Sequence, residues 1–150
     1  MMIAKPLTRT EQAAATASEL RALVGRLKRR LRQEGGYEGL SLSQLSVLGR
    51  LDRHGPSTVT ALARAENVRP QSMGATIASL ETLGLIAGEP DPNDGRRTWL
   101  SLTPMAAEWV QKSRAAREGW LVRTITEHFS AEEQDALARG VALLSRLVEY

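Results

Sequence analysis

Between Leu85 and Leu102 the spacing of apolar residues changes from helical to alternating, and nowhere else does the chain carry a convincing strand pattern. Leu85-Ile86 leads into Glu89-Pro90-Asp91-Pro92-Asn93-Asp94-Gly95, a run of turn formers. Thr98, Leu100 and Leu102 then alternate with Trp99 and Ser101. Two short strands around a polar loop predict one β-hairpin, so the fold class is mainly α with a small β-hairpin (α+β).

The remaining elements read as six helices. Leu20, Leu23, Val24, Leu27 and Leu31 form one apolar stripe in a first helix from about Thr10 to Gln33, which Gly35 and Gly36 end. Ser41-Leu42-Ser43-Gln44 is a capping box, with Ser41 as N-cap and Gln44 reaching back. It opens a short helix that buries Leu45, Leu48 and Leu51 and stops at His54-Gly55-Pro56. Thr58 caps a third helix, which ends at Asn67, a residue that tolerates the left-handed conformation. Pro70 suits the first position of a fourth helix, whose inner face is Met73, Ile77, Leu80 and Leu83. Beyond the hairpin, Thr103-Pro104 starts a long fifth helix through about Phe129. Ser130-Ala131-Glu132-Glu133 is a second capping box, and the helix it opens carries Leu137, Val141, Leu144, Leu147 and Val148 on one stripe.

Composition narrows the chemistry. The 150 residues suit one unit with a real core, 1–150, with no linker to divide it. There is no cysteine, which excludes disulfides, thiolate metal sites and thiol redox sensing. Two isolated histidines, His54 and His128, offer no metal-ligand or nucleophile–base spacing, so neither a metal, a cofactor nor an enzymatic activity is expected. No apolar run approaches the roughly 20 residues that span a bilayer, and no signal peptide opens the chain, so a cytoplasmic protein without membrane partners is expected. The net charge of +3 permits a polyanionic partner without demanding one. Arg21, Arg26, Lys28, Arg29, Arg30 and Arg32 fall within twelve residues free of acids, a pattern that a solvated helix face also explains.

The order helix, tight turn, helix, hairpin over Thr58–Thr103 is that of a winged helix-turn-helix, whose second helix enters the DNA major groove. Arg69, Gln71, Ser72, Ala75 and Thr76 are the outward positions at the start of that helix. Arg and Gln can read purine edges, and Ser and Thr suit phosphates or bases. In the hairpin loop, Gly95 would supply the sharp bend, Arg96 and Arg97 would project from the tip, and Asp94 lies close enough to hold the Arg96 guanidinium. A competing reading is a winged-helix protein-interaction module without DNA binding, to which the acids Glu89, Asp91 and Asp94 around the loop would be suited.

From about Leu40 to Thr103 the sequence resembles the MarR family of regulators. The resemblance is carried by Ser43-Gln44-Leu45-Ser46-Val47-Leu48, Thr60-Ala61-Leu62-Ala63, Leu80-Glu81-Thr82-Leu83-Gly84-Leu85-Ile86, and above all Asp91-Pro92-Asn93-Asp94-Gly95-Arg96-Arg97 followed by Leu100-Ser101-Leu102-Thr103. It implies a winged helix-turn-helix lobe at 40–103 with dimerisation helices at 10–34 and 104–150. It also implies a homodimeric repressor on a pseudo-palindromic operator of double-stranded DNA, often released by a small aromatic or phenolic ligand. Arg96 would enter the minor groove, and Arg97 would support the loop or touch phosphate. The aliphatic stripes at the two chain ends point the same way, to a C2 interface burying Leu20, Leu23, Leu27, Leu144 and Leu147 and exceeding roughly 2,000 Å². Trp109 and Trp120, eleven residues apart, share one face of helix five. By the resemblance, one of them with Leu45, Leu48 or His54 would line a cleft for an aromatic acid, whose carboxylate Arg21 or Lys28 would pair.

Overall fold

The structure is a computed structural model that describes residues 7–36 and 39–150; residues 1–6 and 37–38 of the expected single unit lie outside it. The elements follow the order α1 (Arg9–Glu34), α2 (Leu42–His54), α3 (Val59–Glu66), α4 (Pro70–Thr82), β1 (Ile86–Pro90), β2 (Thr98–Leu102), α5 (Pro104–His128) and α6 (Ala131–Leu147). The two strands pair antiparallel, with Ile86 opposite Leu102 and Pro90 opposite Thr98. Mainly helical with one hairpin is thus the observed class.

Local chemistry sets the boundaries. Ser41 and Gln44 close the capping box of α2, and Ser130 and Glu133 that of α6. Thr8 and Glu11 form a third box, which starts α1 at Arg9, one residue before the expected Thr10. Thr58 and Thr103 cap α3 and α5 with their hydroxyls. Asn67 ends α3 at φ 54°, the left-handed conformation, and its N–H closes back on Ala63 and Arg64.

The core lies inside the 42–110 segment. Leu48 of α2, Leu62 of α3, Leu80 of α4 and Leu100 of β2 are among the largest fully buried side chains, and Val47, Leu51, Met73, Ile77, Ile86 and Val110 complete the cluster. Each such leucine stabilises the fold by about 1.5–3 kcal/mol. The hairpin gains a further edge contact: Ser57 exchanges both backbone hydrogen bonds with Leu100, at 3.0 and 2.8 Å. Leu45 is only half-buried, and Val47 takes the innermost place of α2 instead. Leu83, expected on the inner face of α4, is 52% exposed, because the helix ends there and the chain turns at Gly84, φ +71°.

Polar ties fix the helices around this core. The Gln44 amide donates to Ser79 Oγ of α4 at 2.9 Å. Arg50 pairs with Glu66 and donates to the Ala65 carbonyl at 3.1 Å. A hydrogen bond from Ser46, together with the Arg50 guanidinium, holds the Glu66 carboxyl below the ordinary carboxylate range against the opposing effect of burial. Asp52 receives Arg114 and the Gln111 amide, joining α2 to α5. By contrast, α1 and α6 contain no buried residue. Leu23, Leu27, Leu144 and Leu147 are all exposed, and Leu20 is half-buried.

Truncating the two leucines at the end of α4 should separate core from rim. Leu80→Ala should cost about 2–5 kcal/mol in chemical denaturation, whereas Leu83→Ala should stay within about 1 kcal/mol.

Candidate nucleic-acid interface

α3 and α4 meet across Asn67-Val68-Arg69, and the hairpin follows α4 directly. Helices α1, α2, α3, α5 and α6 each start with a side-chain cap, but α4 starts at Arg69, which makes no side-chain cap bond, with Pro70 in its first turn. The N–H groups of Gln71 and Ser72 therefore have no partner among the described residues. With the positive end of the helix dipole behind them, they form a surface suited to an anion.

Arg69, Gln71, Ser72 and Ala75 are exposed there together. Thr76 is different: it is half-buried, and its hydroxyl donates to the Ser72 carbonyl at 3.2 Å. Its neighbour Ser79, absent from the expected set, carries the Gln44 tie that orients α4.

The wing loop spans residues 91–97 and is closed by Asp91 N–H donating to the Arg97 carbonyl at 2.9 Å. Within it, Arg97 N–H donates to the Asp94 carbonyl at 3.0 Å, a tight turn. Two expectations are corrected here. Asp94 does not hold the Arg96 guanidinium; its carboxylate accepts the Arg96 backbone N–H at 3.1 Å, and Arg96 joins none of the ion pairs among the described residues. Two residues of separation across a turn bring the short carboxylate to the backbone, while the long guanidinium extends away. Gly95 is not in the left-handed region, so the bend does not draw on glycine's freedom at positive φ. Gly88 is the glycine the wing requires: a Cβ there would lie 2.8 Å from Thr98 Cγ2 and 3.5 Å from Glu81 Oε1 at the end of α4. Arg96 and Arg97 are both exposed.

Asp91 is the most heavily engaged residue of the loop. One carboxylate oxygen accepts Asn93 N–H at 2.8 Å, and the other accepts the Trp99 indole N–H at 3.0 Å. These bonds, the Asn93 one foremost, with the Arg97 charge nearby, hold its carboxyl below the ordinary range.

The seven residues expected around an aromatic ligand lie on α1, α2 and α5 and differ widely in exposure. Leu48 is 2% exposed inside the core and has no surface to offer, which removes it from the set. Leu45 is half-buried on α2, and His54 is exposed at the end of that helix. Trp109 packs against the core. Trp120 lies under the Arg30 guanidinium, 5.1 Å from ring centroid to Cζ, and Arg30 also pairs with Glu34 at 2.7 Å. Arg21 and Lys28 stay exposed on α1. Arg21 alone of the seven lines an open groove of about 550 Å³ between α1 and Leu147 of α6. No group of three potential metal-ligating side chains occurs among the described residues, and no helix among them is long and apolar enough to cross a membrane.

A helix-turn-helix with a hairpin packed against its second helix defines the winged-helix class of transcriptional regulators. Comparison with known proteins is specific. A profile of the MarR family matches residues 38–97. An HTH-type transcriptional regulator of Mycobacterium leprae is 40% identical over 136 residues, covering 91% of this chain and 94% of that protein. The crystal structure of a transcriptional regulator from Pseudomonas aeruginosa superposes with a TM-score of 0.76 at 36% identity, over 93% of this chain and 96% of that one. The chain belongs to the MarR family of transcriptional regulators. The fold is shared more widely: a Staphylococcus aureus MepR mutant, solved bound to an oligodeoxyribonucleotide, matches with a TM-score of 0.67 at 22% identity, over 88% of this chain and 97% of that one.

The Asp91 hydrogen bonds give a sign for pH. A lowered carboxyl pKa means the bonds persist above the value of a free aspartate and are lost as pH falls through the lower folded value. An NMR titration should place the Asp91 midpoint below that of a free aspartate, with the Trp99 indole proton shifting over the same interval.

Proposed function

We propose that this regulator is a homodimeric repressor that binds a pseudo-palindromic operator in double-stranded DNA. The observation that carries the proposal is the juxtaposition, in one rigid lobe, of the uncapped exposed start of α4 and the unpaired arginine at the hairpin tip. In this reading Gln71, Ser72 and Arg69 meet the major groove and its phosphates, with Ala75 against them as an apolar contact and Thr76 at the margin. Arg96 enters the flanking minor groove, and Arg97, whose backbone closes the loop, lies beside phosphate. Asp94 supports the wing through the backbone of Arg96. The DNA-bound MepR structure supports the same use of a shared fold.

The lobe is 40–103, and 10–34 with 104–150 form the arm through which two copies join. Support comes from α1 and α6: two amphipathic helices with capped ends and no buried residue present more aliphatic surface than a solitary chain leaves in water. A partner copy would cover Leu23, Leu27, Leu144 and Leu147. Release by a small aromatic ligand would act where α1 meets α5, since the Arg30–Trp120 pair already combines a cation with an aromatic face there. Tryptophan fluorescence and DNA affinity measured during titration with planar aromatic carboxylates test that part, and no change in either overturns it.

Sedimentation at micromolar concentration should give a dimer; a monomer would overturn the assembly. Duplexes selected from a random library by the wild-type protein should share an inverted repeat. Arg96→Ala should leave folding and dimerisation intact and weaken binding to the selected duplex by about 1–3 kcal/mol, with less preference for A·T pairs at its flanks. A library that yields no enriched duplex would instead favour the protein-interaction module.

A further inference from the structure

Trp99 does not belong to the core. Its strand neighbour Leu100 points inward and is buried, so alternation turns Trp99 to the opposite face, where it pairs across the hairpin with Glu89 and is 38% exposed. A ring this large left partly in water contributes less burial than its size allows. Its polar end nevertheless has one partner, the Asp91 carboxylate, at 3.0 Å. The same carboxylate orders Asn93 on its other oxygen at 2.8 Å. The remaining bonds of the 91–97 loop run between loop residues: Asp91 to Arg97, Arg97 to Asp94, and Arg96 to Asp94. Among the described residues, the indole is the only strand side chain that bonds to the loop. A rigid indole with two side-chain torsions makes such a tie at low entropic cost.

We propose that Trp99 is a positioning residue for the wing: its indole N–H anchors Asp91, and the anchored loop presents Arg96 to DNA in one orientation. This rests on the DNA-binding reading above. An exposed hydrogen bond adds little to global stability, so its effect falls on the loop's order and on the contact Arg96 makes.

Two variants remove the tie from opposite sides. Trp99→Phe keeps a ring and loses the N–H, and Asp91→Ala, at a half-buried loop position, removes the acceptor together with the Asn93 bond and covers the case in which the first fails to fold. Backbone ¹⁵N relaxation of Asn93–Arg97 in the free protein should show larger fast motions in both variants, with the helices unchanged. Affinity for a duplex selected with the wild-type protein should fall about three- to ten-fold. Arg96→Ala should then cost a smaller factor in the Trp99→Phe background than in wild type, which a merely packing role would not produce. An unchanged loop in both variants, or an undiminished Arg96→Ala factor, overturns the proposal. A wild-type protein that retains no duplex while the loop still loosens would overturn the DNA-binding reading and leave Trp99 supported as the loop's anchor.

Discussion

Everything the lobe presents to its surroundings depends on four buried leucines, one from each of α2, α3, α4 and β2. Leu48, Leu62, Leu80 and Leu100 share one apolar cluster, so α4 and the hairpin are fixed to the same centre. Interiors packed at crystal-like density do not deform by small continuous steps. The separation between the start of α4 and the hairpin tip is therefore set by core packing, and the polar surface inherits it. The Ser57–Leu100 bridge and the close approach of Gly88 to Thr98 extend this control outward, the first from the loop before α3 and the second across the hairpin itself.

Helix boundaries were largely legible in the sequence because caps are local chemistry. Ser41 with Gln44, Thr58, Asn67, Pro70, Thr103 and Ser130 with Glu133 each act within four residues of themselves, so their letters suffice. The hairpin was legible through alternation, and the family through the wing motif. What distance in sequence hides is pairing. Asp52 with Arg114 is a charge pair across 62 positions, and Gln44 with Ser79 an amide–hydroxyl pair across 35; each of these letters reads equally well as solvated surface. Leu83 keeps the helical period of α4 but lies where the helix has already ended, so period alone misassigned its exposure. In the wing, the sequence motif pointed to Asp94 beside Arg96 but not to the atoms that meet, nor to Gly88. Asp94 does support Arg96, but through the backbone, and Trp99, placed in the strand by its alternation, makes the bond to Asp91 that no spacing rule foretells.

Charge is distributed in a way the overall +3 conceals. Residues 40–103 contain six arginines and six acids, so the lobe has no net charge of its own. Two of those charges, Arg50 and Glu66, satisfy each other, and Asp52 is engaged by α5. A lobe in balance has little long-range attraction for a polyanion, and at physiological salt any field decays over about 8 Å. In the proposed complex, affinity for DNA would then come from donors placed at contact distance: the free N–H groups at the head of α4, Arg69, and the two wing arginines. For such a surface the orientation of each donor matters more than the number of charges, and that makes the geometry of the 91–97 loop consequential.

The two ends of the chain follow a different logic from the middle. The lobe is held by its own core, while α1 and α6 have well-formed caps and continuous aliphatic stripes without burying a residue. Capping and propensity define where a helix starts and stops, but in water most helical stability comes from packing an apolar face. Helices of 26 and 17 residues with that face exposed would, in the proposed dimer, draw on burial from the partner copy. In the proposed dimer the arm and the assembly are one equilibrium, so the stability of the arm depends on protomer concentration in a way that the stability of the lobe does not. Asp52 with Arg114 and Gln111 is one polar link between these two regimes, joining α2 in the lobe to the long helix that continues into the arm, and the Arg32 guanidinium donating to the Leu40 carbonyl is another. With the Gln44–Ser79 bond, the Asp52 link makes a continuous polar connection from α5 through α2 to α4, alongside the apolar core.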